Sequence, residues 1–212
     1  LDVTMEDLHD MPKQLYDGKM KNLREKTQGQ LIVKEYPTAS AHSGHFKSLM
    51  NELALKKSFR PDVIFIDYLN ICASSRFKGG NISSYFYVKA IAEELRGLAV
   101  EFDVPIFSAT QTTRTGFVSS DIGLEDTSES FGLPATADFM FALISNEELE
   151  ALGQMKVKQL KNRYNDPSVN RAFIVGVDRS KMRLYDVQQK AQEIVDANQV
   201  DEKEDAYNKF SD

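Results

Sequence analysis

Residues 61–70 read PDVIFIDYLN, and this stretch constrains the fold more than any other part of the chain. An unbroken apolar run, Val63 to Ile66, follows Pro61 and Asp62 and ends at Asp67. Such a run reads as a buried strand that emerges at Asp67. A second run, VPIFSA (104–109), leads to Gln111, and a third, Met155–Leu160, runs into Lys161 and Arg163 of KNRYND. Between the first two, Val88, Ile91, Leu95, Leu98, Ala99 and Phe102 recur at helical spacing over about 85–102. The strand at 104–109 follows within two residues, a join typical of α/β units. Ligands of such sheets sit beyond the carboxyl ends of the strands, which is where Asp67, Gln111, Lys161 and Arg163 fall.

The flanking segments complete the expected order. Thr4 with Asp7 resembles a capping box, and Leu8, Met11, Leu15, Met20 and Leu23 give a broken apolar stripe, with Pro12 starting a second helix. Gly29 ends that helix, LIVKEY (31–36) reads as a short strand, and a helix follows over about 45–58. Segments 139–145, 157–161, 172–177 and 182–187 read as strands, with turns at NDPS and DRSK. Those turns predict hairpins, hence an antiparallel extension of a mostly parallel sheet. Residues 1–187 are expected to form the folded part, and 188–212 a charged helix fading into the acidic tail DEKED.

Composition narrows the function. With 212 residues and 42% hydrophobic content, the chain can bury a sizeable core. A net charge of −6 argues against general nucleic-acid binding, so any such contact must come from a local basic loop. Cys72 is the only cysteine, which rules out an intrachain disulfide and a cysteine zinc site and suits a reducing, cytoplasmic setting. His42 and His45 lie in a polar Ser/Gly/His segment and read as solvated loop residues. No apolar run approaches the ~20 residues a membrane span needs, and the opening LDVTMEDLHD is not a secretory signal. It also lacks an initiator methionine, which suggests a piece of a longer polypeptide.

The residues at the strand exits have definite chemistry. A carboxylate in the position of Asp67 can hold the water shell of Mg²⁺, or be an ordinary strand-end acid. The amide of Gln111 carries a donor and an acceptor, so it can register a phosphate on one side and a loop on the other, or merely cap a turn. Lys161 and Arg163 are either a phosphate-directed basic pair or a solvated strand end.

PDVIFIDYLN, LAVEFDVPIFSATQTTR, LPATADFMFAL and KNRYND, in that order, resemble the RecA-type motor domain of the DnaB-like replicative hexameric DNA helicases. The likeness is nearest to the T-even bacteriophage members and covers about residues 60–180. It implies a RecA-like P-loop NTPase core, with ATP and Mg²⁺ as cofactors. Asp67 matches the Walker B carboxylate that holds Mg²⁺ through water, and Gln111 the γ-phosphate sensor. Lys161 and Arg163 match a basic finger that reaches the ATP of the neighbouring subunit. The family also implies a homo-hexameric ring that moves 5′ to 3′ on single-stranded DNA and unwinds duplex at the fork, with primase and a helicase loader as partners. In a bacteriophage the setting is the host cytoplasm.

Two loops match those that line the ring's channel, 73–84 and 112–136. They offer Arg76, Lys78, Arg114, Gly116 and Glu129 as DNA-facing candidates. One departure is large. Nothing in the chain matches GxxxxGK[ST], since DGKM (17–20) and SGHFKS (43–48) lack its spacing and ending. The expectation is therefore the C-terminal part of a motor domain without its P-loop portion, inactive in ATP hydrolysis by itself. A RecA-type recombinase core and a non-hydrolytic interaction module of the same fold are the alternatives.

Overall fold

The computed structural model describes residues 1–77, 82–112, 123–124, 132–166 and 169–187. In chain order its elements are α1 (Met5–His9), α2 (Lys13–Lys26), α3 (Ser43–Lys57), β1 (Ile64–Ile66) and a 3₁₀ turn (Leu69–Ile71). These are followed by α4 (Ser84–Phe102), β2 (Ile106–Ser108), α5 (Gly132–Thr136), β3 (Phe139–Ile144), α6 (Glu147–Ala151), β4 (Gln154–Asn162), β5 (Ala172–Asp178) and β6 (Arg183–Asp186). The chain divides into two units, one made of 34–141 with 160–167, the other of 1–33, 142–159 and 168–212.

In the unit built on 34–141, β1 and β2 pair in parallel, with Ile64 opposite Ile106, Phe65 opposite Phe107 and Ile66 opposite Ser108. The expected helix forms as α4, burying Val88, Ile91, Leu95 and Leu98 along one stripe. Asp103 closes it in a left-handed conformation (φ 51°), which turns the chain straight into Val104 and β2. The core joins Val88, Ile91, Ala92 and Leu95 of α4 to Leu69, Cys72 and Leu133, with Phe46, Ile66 and Tyr87 packed against it. The other face of the parallel pair carries Phe65, 73% exposed, stacked on Phe107 at 5.3 Å between ring centroids.

In the second unit, β4, β5 and β6 form the antiparallel hairpins the turns predicted, with Met155 opposite Val175 and Val177 opposite Leu184. Among the described residues, the strands make two hydrogen-bonded sheets, the parallel pair β1–β2 and a four-stranded sheet in the order β3-β4-β5-β6. Antiparallel pairing therefore takes a larger share than the expected mostly parallel sheet. α1 is capped by Thr4, whose Oγ1 accepts from Asp7 N at 3.0 Å, and α2 starts directly after Pro12, both as expected.

Two expectations fail. Residues 31–36 form no strand, and Leu31 and Val33 are 87% and 83% exposed. Apolar, β-prone residues do not make a strand without a partner to complete the ladder. His42 and His45 are not loose loop residues either. Gly44 N donates to His42 Nδ1 at 3.0 Å, and His42 N donates to His45 Nδ1 at 3.2 Å, closing a reciprocal cap on α3. Residues 188–212 and the NDPS turn at Pro167 and Ser168 lie outside the described residues. Among the described residues, no helix is long and apolar enough to cross a membrane.

Candidate functional site

Parallel pairing puts the ends of β1 and β2 on the same edge, so Asp67 and Gln111 leave the sheet side by side. Four bonds stitch the two exits together. Ser108 Oγ donates to Ile66 O (2.8 Å), Leu69 N to Ala109 O (3.2 Å), Thr110 Oγ1 to Asn70 Oδ1 (2.9 Å) and Gln111 Nε2 to Tyr68 Oη (3.2 Å). The Asp67 carboxylate is exposed. Tyr68, Asn70 and Thr110, which the sequence reading passed over, are the residues that hold this edge together. The signal was available, because polar side chains directly after two matched apolar runs fall opposite one another whenever the runs pair in register.

Lys161 and Arg163 leave β4 beside residues 134–138. Lys161 Nζ donates to Pro134 O at 2.5 Å. Burial, followed by the nearby Arg163 charge, lowers the Lys161 ammonium below its ordinary range. Arg163 N donates to Asp138 O at 3.0 Å, Arg163 Nη1 to Asp138 Oδ1 at 2.9 Å, and Arg163 Nη2 to Ala135 O at 3.4 Å. The same Asp138 Oδ1 accepts from Arg96 Nη1 of α4 at 2.6 Å. Among the described residues, no hydrogen bond or ion pair joins Lys161 or Arg163 to Asp67 or Gln111.

A third group fixes the start of the loop after the 3₁₀ turn. The Glu94 carboxylate on α4 accepts from Ser43 Oγ (2.7 Å), Ser74 Oγ (2.6 Å), Ser75 Oγ (2.7 Å), Ser75 N (3.0 Å) and, longer, Arg76 N (3.4 Å). Burial would raise this carboxyl, but the donors of Ser74, Ser75 and Ser43 outweigh it and bring it down to about 2. Tyr87 Oη accepts from Ser74 N at 3.1 Å, and Phe77 lies 6.4 Å from the Tyr87 ring. The Arg76 guanidinium is engaged by Glu93 at 2.5 Å. Lys78, Arg114, Gly116 and Glu129 lie outside the described residues.

Among the described residues, no three His, Cys, Asp or Glu side chains converge as a metal cage. A lone exposed carboxylate such as Asp67 still suits Mg²⁺, which keeps most of its waters and takes one or two carboxylates together with substrate phosphates.

No protein-family model matches the chain. A DnaB-like replicative helicase of Enterobacteria phage T4 is 47% identical over 192 residues, an alignment that covers 89% of this chain and 40% of that protein. The chain thus spans less than half the length of this relative. Among solved structures, an isolated ATPase domain superposes with a TM-score of 0.70 at 16% identity, covering 88% of this chain and 66% of that one. A DnaB-like replicative helicase, solved with attention to its interactions with primase, superposes with a TM-score of 0.64 at 18% identity, covering 88% and 43%. At these identities the structural likeness shows the fold alone, that of RecA-like helicase ATPase domains.

Proposed function

We propose, from the premise that this chain is a relative of a DnaB-like replicative helicase, that it forms the C-terminal portion of an ATP-driven replicative helicase motor. The observation that carries this reading is the parallel register of β1 and β2, which brings Asp67 and Gln111 to one edge and links them through Tyr68. A carboxylate and an amide beside one another meet the two needs of a nucleotide site, to fix a hydrated cation and to register a phosphate.

In this reading Asp67 is the residue that would hold Mg²⁺, and the bound ion would supply positive charge against the phosphates of ATP. Gln111 moves its amide between Tyr68 and the γ-phosphate. Lys161 and Arg163 serve the nucleotide of a neighbouring copy; among the described residues, their bonds run to Pro134, Ala135 and Asp138 and not to Asp67 or Gln111. Arginine supplied in trans acts by matching its planar fork to charge that develops on the transferred phosphoryl group.

The rest of the phosphate cradle lies outside this chain, which has no GxxxxGK[ST] sequence. The bare aromatic face of β1–β2 supports the same reading, because sheets of parallel strands are ordinarily covered on both faces. The motor works as a homo-hexameric ring on single-stranded DNA, moving 5′ to 3′ and opening duplex at the fork, in the host cytoplasm. Arg76, Lys78, Arg114, Gly116 and Glu129 are the candidates for contact with the DNA, and primase and a loader are the partners of the ring.

The deciding experiment compares single-strand-stimulated ATPase of a longer polypeptide, carrying this chain together with a phosphate-binding loop, with that of the 212-residue chain. Activity in the longer protein only is the expected result. No activity in either assigns the fold to a binding module.

A further inference from the structure

We infer that Asp138 is the residue that positions Arg163 for the nucleotide of the neighbouring subunit. The inference rests on the finger reading above, and goes beyond it by naming what aims the finger.

Asp138 grips Arg163 at both ends. Its main-chain carbonyl accepts from Arg163 N at 3.0 Å, and its Oδ1 accepts from Arg163 Nη1 at 2.9 Å. The carboxylate is itself held from the far side by Arg96 Nη1 at 2.6 Å, and that nitrogen also donates to Thr136 O at 2.7 Å. Arg96 stands on α4, which is anchored in the core by Val88, Ile91, Ala92 and Leu95. Position therefore passes from a rigid helix through Arg96 and Asp138 to Arg163.

Two properties make this arrangement suited to positioning. An arginine side chain gives up rotamer freedom when it is held still, so a finger held before the nucleotide arrives loses less on engagement. The Arg163 side chain is also 44% exposed, so its contact with Asp138 leaves part of it open to solvent. Charge is not exhausted by the contact either. Three cations, Arg96, Lys161 and Arg163, surround the single carboxylate of Asp138, a surplus of two positive charges among the described residues. That surplus suits a polyphosphate.

The test is made in the longer polypeptide proposed above, by steady-state ATPase with single-stranded DNA present. Asp138→Ala is expected to lower kcat about 10- to 100-fold with KM for ATP within about twofold, the pattern of a misplaced group that acts in the transition state. Asp138→Asn, which keeps the backbone grip and a neutral acceptor, is expected to recover part of the loss. An unchanged or raised kcat in Asp138→Ala overturns the inference. If that variant does not fold, Arg96→Met decides: a loss of about three- to tenfold in kcat supports the inference, and an unchanged kcat overturns it.

Mixed assemblies separate the inference from its premise. Asp67→Asn subunits mixed with Arg163→Ala subunits are expected to regain part of the ATPase, and so are Asp67→Asn subunits mixed with Asp138→Ala. Failure of both mixtures removes the trans finger itself. Rescue by Arg163→Ala but not by Asp138→Ala removes only the role given to Asp138.

Discussion

Gln111 Nε2 donates to Tyr68 Oη at 3.2 Å, so the amide proposed to register phosphate rests on the residue that follows the proposed Mg²⁺ carboxylate. The resting bond and the phosphate bond compete for one donor. Tyr68→Phe removes the acceptor and little else, since a single exposed hydrogen bond contributes only about 1 kcal/mol to stability. The expected outcome in an ATPase-competent protein is a raised basal rate and a ratio of DNA-stimulated to basal ATPase reduced about fivefold, at the low end of site-to-site couplings. An unchanged ratio would show that Gln111 does not use Tyr68 as its resting partner.

Glu94 gathers donors from Ser43, Ser74 and Ser75 and is held at about 2 against an ordinary value of 4.5. A folded-state value below the unfolded one stabilises the protein above pH 4.5, and that contribution fades as pH falls from 4.5 toward 2. Glu94→Gln is expected to lose about 1–3 kcal/mol at neutral pH in urea denaturation, since the bonds it replaces are charge-assisted. Stability of the variant should also fall less steeply than that of the parent across the acid window. Parallel acid profiles for the two proteins would mean that Glu94 is not the group that titrates there.

Arg76 reaches Glu93 at 2.5 Å, so a phosphate that binds Arg76 must displace this partner. Glu93→Gln is expected to tighten single-strand binding by about two- to fivefold, in keeping with an exposed ion pair worth no more than about 1 kcal/mol. Arg76→Ala is expected to weaken binding and to reduce the log–log salt slope by about 0.7, the contribution of one phosphate on a single strand. A salt slope that stays the same takes Arg76 out of the DNA path.

His42 caps α3 through Nδ1, an acceptor that only the unprotonated nitrogen supplies. His42→Ala is expected to destabilise the chain by about 1 kcal/mol, and His42→Asn to restore most of that, as asparagine is a strong N-cap. Equal stability of the alanine variant and the parent, measured by thermal unfolding, would leave the cap without energetic weight.

What was legible in the sequence followed the strength of the local pattern. α4 was readable because six apolar positions share one stripe, and the exits at Asp67 and Gln111 because each closes an apolar run. LIVKEY misled because strand formation depends on a partner that no local pattern reveals. The helix α6 was missed although Asn146, whose Oδ1 accepts from Leu149 N at 2.8 Å, stands before three glutamates in its first turn. Asp138 and Glu94 escaped for another reason. Each acts through residues 25 or 20 positions away, Arg163 and Ser74, and a single sequence carries no trace of such pairing.

The stacked pair Phe65 and Phe107 has a practical corollary for anyone who handles the chain in isolation. Beside a net charge of −6, which favours solubility, the chain carries an exposed aromatic pair on one side of the β1–β2 ribbon, which favours association. Exposed aromatic surface of that kind adsorbs dyes, plastics and other chains. Purified alone, the 212-residue chain is expected to self-associate through this face, which light scattering against concentration checks.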